Sequence, residues 1–179
     1  MTQRKINRAP VLTLWATVVA RRVGFSDEEA LTLGRAVSGL TAQSKGRRLG
    51  LYTKAPESEA AKVRAARENI DARELEFMGR RIPIVREGGE IRALSKASPI
   101  HPASVRRYLE GKFEDDLDAF TSHLQALADA YVADDLLAKA MDLYMGFRPT
   151  TPKGVEGWGK AGLFDTDVID RLRAAAAGS

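Results

Sequence analysis

The chain predicts a mainly α-helical fold with one β-hairpin, and three observations lead there. Apolar residues recur at helical spacing in most segments, the period changes only around Gly88-Gly89, and charge is split along the chain. Residues 1–107 hold 21 Lys+Arg against 11 Asp+Glu, a local charge of +10, while residues 108–179 hold 7 against 13, or −6. Such polarity orients a chain towards a polyanion or towards an oppositely charged partner.

The first helix is expected to start at Pro10, where a missing amide donor is harmless, with Val11, Leu14, Trp15, Val18 and Val19 forming one wide stripe. Gly24 ends it. Ser26 and Glu29 then form a capping box that opens a second helix, in which Leu33, Val37 and Leu40 are its buried line. Gly34 and Ser38 are small enough to let another backbone approach, and helix one is the expected neighbour. Past Leu40 the pattern weakens into Lys45-Gly46-Arg47-Arg48, with no regular structure expected over 46–56. A third, shallowly packed helix is expected over 57–75, along Ala60, Val63, Ala66 and Ile70. Residues 81–85 and 90–94 flank Gly88-Gly89 as a β-hairpin, Pro83 placing the first strand at a sheet edge.

A boundary is expected where Ser98-Pro99-Ile100-His101-Pro102 punctuates the chain, close to the change of charge sign. This gives a basic subdomain over 1–97 and an acidic helical one over 98–179. A short helix over 102–110 should end at Gly111. Phe113, Leu117, Phe120, Leu124, Leu127 and Tyr131 then alternate spacings of four and three, a seam for a helix carrying Leu137, Met141 and Tyr144. The predicted result is a C-terminal helical hairpin. A Gly/Pro-rich loop over 148–162 leads to a last helix capped by Asp165 or Thr166.

Three helices followed by a hairpin is a winged-helix-like order, and over about the first 95 residues the arrangement resembles a winged-helix DNA-binding domain. The resemblance lies in architecture and implies phosphate contacts from a basic wing beside a recognition helix. The expected anion-binding residues are Lys45, Arg47, Arg48, Arg80, Arg81, Arg86 and Arg92, the last four ringing the hairpin. Around Gly46 a glycine helix cap serves as well as an anion nest.

Two other readings stand beside nucleic-acid binding. One is a non-enzymatic scaffold that self-associates, either through charge or as a homodimer through the 113–131 helix. The other is a small-molecule or nucleotide site on residues 154–162, using Trp158 and Lys160. That stretch has the glycine and lysine spacing of a phosphate-binding loop, but Ala161 stands where the magnesium-binding hydroxyl belongs. With no cysteine, disulfides, thiolate metal sites and cysteine nucleophiles are excluded. His101 and His123 lack metal-ligand spacing, so no metal or cofactor is expected, and nothing compels catalysis. The apolar run 11–20 is too short to span a bilayer, and the basic leader 1–8 is followed by no small-residue cleavage site, so the expected location is cytoplasmic.

Overall fold

A computed structural model describes residues 1–48, 57–151 and 160–178, with side chains to residue 45 in the first stretch. The elements run β1 (Gln3–Ile6), α1 (Arg8–Arg22), α2 (Asp27–Arg48), α3 (Glu57–Asn69), β2 (Arg73–Phe77), β3 (Arg80–Glu87), β4 (Glu90–Ser95) and β5 (Ser98–Pro99). They continue as α4 (Pro102–Phe113), a 3₁₀ turn (Glu114–Asp116), α5 (Leu117–Asp129), α6 (Ala133–Phe147), β6 (Gly162–Asp165) and α7 (Thr166–Ala177). The fold is mainly helical with an antiparallel hairpin sheet and a C-terminal helix pair. Among the described residues, no helix is long and apolar enough to cross a membrane.

Helix α1 is the axis of the molecule. Every residue from Pro10 to Ala20 is buried, not merely the stripe its spacing suggests. A helix that is apolar all round must be enclosed on all sides, and here α2, α4, α5 and α6 enclose it. Its buried hydroxyls are satisfied locally: Thr17 Oγ1 donates to the Thr13 carbonyl at 2.7 Å, and Thr13 Oγ1 bonds Ser38 Oγ at 2.7 Å. Gly34 is a point of close approach, where a Cβ added to the glycine would lie 2.6 Å from the Thr13 carbonyl oxygen and closer still to Thr17 Oγ1. The expected neighbourhood of Gly34, Ser38 and helix one is therefore present.

The capping box forms as expected: the Glu29 amide donates to Ser26 Oγ at 3.2 Å, and the Ser26 amide donates to Glu29 Oε1 at 2.9 Å. Glu29 does more than cap. Its Oε2 accepts the Ile91 amide at 2.9 Å, and Thr32 Oγ1 accepts the Ala93 amide at 3.1 Å. Helix α2 thus satisfies β4 donors that no strand pairs with, which fixes the hairpin on the helix and closes an otherwise open edge. Burial raises the Glu29 pKa, but the two amide bonds and the Ser26 hydroxyl outweigh it and hold the carboxyl below its ordinary value.

The sheet runs β2-β3-β4-β5, all antiparallel. Gly88 and Gly89, at φ 58° and 85°, make the two-residue turn between β3 and β4 that the sequence signals. Met78 and Gly79, at φ 52° and 75°, make a second such turn and admit β2, whose first residues lie where helix three was expected to continue. Pro83 consequently lies in an inner strand. It is tolerated because the β3–β4 register stops at Ile84, before Pro83 must donate.

In the C-terminal part, α4 runs past Gly111 to Phe113, and the seam residues Phe113, Phe120, Leu124 and Leu127 are all fully buried. Helix α5 turns this stripe onto α1 and α7 rather than chiefly onto α6. Four of the six seam residues are thus covered within the protomer, and Leu117 and Tyr131 are half-buried. Helix α6 is rotated relative to expectation: Leu136, Ala140, Leu143, Tyr144 and Phe147 point inward, and Leu137 is exposed. Trp15 Nε1 anchors α6 by donating to the Ala140 carbonyl at 2.9 Å. The aromatic centre is Phe120 stacked on Phe164 at 4.3 Å, edged by Phe113 and Phe147.

Residues on both sides of position 97 share one hydrophobic cluster, and β1 pairs with β6 across the whole length of the chain. Some of the charge polarity is used in the same way. Arg4 bonds Glu114 at 2.8 Å and Asp116 at 3.0 Å, and Arg22 lies 3.4 Å from Asp129. The carboxylates raise the Arg4 pKa, with the Glu114 hydrogen bond the largest cause. Basic and acidic parts thus meet inside one protomer.

Candidate anion-binding clefts

The C-terminal half of α2 runs between two clefts. Cleft one, about 590 Å³, is walled by Arg35, Gly39 and Gln43 of α2, Arg67 of α3, Lys96 after β4, and Tyr108 of α4. Cleft two, about 380 Å³, lies between α1, α2 and α6 and carries Arg8, Lys45, Arg80 and Arg148. Successive turns of one helix present Arg35, Gly39 and Gln43 to the first cleft and Ser38, Thr41 and Lys45 to the second, because positions three or four apart share a face. Seven cations line the two clefts, and among the described lining residues there is no carboxylate.

Packing sets the state of these cations. The Arg35 guanidinium sits 4.7 Å from the Tyr108 ring centre, a cation–π contact, and Arg67 Nε donates to the Lys96 carbonyl at 2.7 Å. Burial raises the Tyr108 pKa, and Arg35 opposes it. In cleft two, Arg8 Nε donates to the Pro149 carbonyl at 3.0 Å. Burial and the positive charge of Arg148 lower the Arg8 pKa. Tyr144, buried beside both, is pushed up to about 12.

The structure brings Lys45 and Arg80 of the expected set together in cleft two. The Arg47 and Arg48 side chains and Trp158 lie outside the described residues. Arg81 is exposed, 3.9 Å from Glu76, and Arg86 is exposed, donating to the Gly89 carbonyl at 3.5 Å. Arg92 does not ring the hairpin: it is 8% exposed, and its Nη2 bonds Glu28 at 2.6 Å and Glu90 at 3.1 Å. Its role is to join β4 to the start of α2, since a desolvated guanidinium must be paired. Lys160 is exposed and lines neither cleft, and a strand follows the glycine-rich stretch where a phosphate-binding loop would open a helix.

Arg8, Arg35, Arg67, Lys96 and Arg148 are cleft residues outside the expected set. Arg35, Gly39 and Gln43 do carry a sequence signal, spaced at intervals of four along one helix. Arg8 and Arg148 carry none, because 140 positions separate them. His123 Nδ1 lies 2.8 Å from Asp170 Oδ1 and links α5 to α7, and no cluster of three or more metal-ligating side chains occurs among the described residues.

No protein-family model, curated protein or solved structure matches this chain.

Proposed function

We propose that the protein binds nucleic acid through phosphate groups seated in the two clefts along α2. The observation that carries this reading is the segregation of charge: seven cations line the clefts with no carboxylate among the described lining residues, in a chain holding 24 acids. Cations that serve only solubility would be interspersed with acids, whereas phosphate contacts require an uninterrupted positive surface. Arginine suits the task because its planar fork grips a phosphate bidentately. Contacts of this kind fix the position of the polymer and do not read sequence.

An anisotropy titration against duplex DNA, single-stranded DNA and RNA at two salt concentrations tests the reading. If Arg35, Lys45, Arg80 and Lys96 each neutralise one phosphate, log affinity falls against log salt with a slope of about −3.6 for duplex DNA. Lys45→Gln with Arg80→Gln should reduce the steepness by about 1.8. Absence of micromolar binding at low salt to all three polymers overturns the proposal, and an unchanged slope in the double variant removes these residues from it.

A further inference from the structure

Cleft two offers more than charge. Ala9 and Leu12 of α1, Ala42 of α2, and Met141 and Tyr144 of α6 make an apolar floor, with Met145, 51% exposed, at the mouth. Phosphates of a polymer would engage the cations and leave this floor wet. Methionines are unbranched and polarizable, and they adapt to irregular apolar groups. The volume of about 380 Å³ falls within the range of small-molecule sites.

Two further observations point to an oxyanion at the cationic end. Arg8 and Arg148 are both half-buried and line the same cleft, with no carboxylate among the described lining residues beside them. Like charges that share a partly desolvated cleft favour an anion between them. Thr41 lines the same cleft, and its Oγ1 is buried without a hydrogen-bond partner among the described residues. Buried hydroxyls are ordinarily paired, and a rotation of the Thr41 side chain towards the cleft would let it donate to a ligand oxygen.

We infer that cleft two binds a small amphipathic anion, a phosphate or carboxylate head on an unbranched apolar chain. The head lies between Arg8 and Arg148 within reach of Thr41, and the chain lies along Leu12, Met141 and Met145. This site goes beyond nucleic-acid binding and does not depend on it.

Calorimetric titration with octyl phosphate, octanoate, inorganic phosphate and octanol, each kept below its aggregation concentration, tests the assignment. At least one tailed anion should bind, its head identified by which of the two binds tighter, with inorganic phosphate and octanol each at least tenfold weaker. Arg148→Gln, and separately Met145→Glu at an exposed position, should each weaken the tailed anion at least tenfold while the thermal midpoint does not fall below the wild-type value. The inference is overturned if neither tailed anion binds, if inorganic phosphate or octanol binds as tightly, or if both variants bind like the wild type.

Discussion

Two glycines five positions apart on α2 should respond in opposite directions to the same substitution. At Gly39 a Cβ meets no heavy atom within 4 Å, so Gly39→Ala should stabilise the protein by up to about 1 kcal/mol, the difference in helix propensity. At Gly34 the new Cβ would stand 2.6 Å from the Thr13 carbonyl oxygen. Even close carbon–oxygen contacts stay at about 3.3 Å, so α1 and α2 must separate by about 0.7 Å. Overpacking of that kind costs about 1–3 kcal/mol. The Thr17 hydroxyl, donating to Thr13 at 2.7 Å, also obstructs the Cβ, and losing that bond costs about another 1 kcal/mol. After the propensity gain is subtracted, Gly34→Ala should destabilise by roughly 1–3 kcal/mol, and the two variants should differ by roughly 1–4 kcal/mol. Urea melts with a common slope measure the difference directly. Equal midpoints for the two variants would refute the close crossing of α1 and α2.

Other consequences follow from the same packing. Glu29 has its folded pKa held below the ordinary value, so the stability it contributes is full above the unfolded pKa and is lost as pH falls through the depressed one. Glu29→Gln should therefore flatten the acid limb of a stability–pH curve, and Glu29→Ala should cost about 1–3 kcal/mol at neutral pH by removing the cap and the bond to β4; an unchanged acid limb would show that the carboxylate is not the acceptor. Arg92→Gln should lower the denaturation midpoint by an amount equivalent to about 1–3 kcal/mol yet leave the salt slope of nucleic-acid binding untouched, since its charge is already spent on Glu28 and Glu90. A reduced slope would place Arg92 among the phosphate contacts after all. Leu124→Ala should cost roughly 2–5 kcal/mol by opening a cavity, while exposed Gln125→Ala is nearly silent, and similar melts for both would mean that α5 is turned the other way.

Local rules are legible in the chain, and of the tertiary arrangement little beyond the packing of α2 on α1 at Gly34 and Ser38 is. Ser26 and Glu29 name their own capping box, Gly88-Gly89 names its own turn, and Asp165 caps α7 by accepting the Asp167 amide at 2.9 Å. Each depends on residues within a few positions of one another, so spacing alone specifies it. The stripe on α5 is equally plain, but which neighbour covers it is not, since any apolar face satisfies an apolar stripe; α1 and α7 take the place expected of α6. Sequence polarity draws attention to cations yet cannot sort them. Arg92 and Arg81 look alike in the chain, but one is buried against Glu28 and the other stands exposed. Arg8 and Arg148 become neighbours only when β6 returns to β1 and α6 docks on Trp15. Periodicity fixes which face of an element is apolar, a property of one segment. The clefts arise where several segments meet, and a pairing between distant segments is decided by the free energy of the whole packed core.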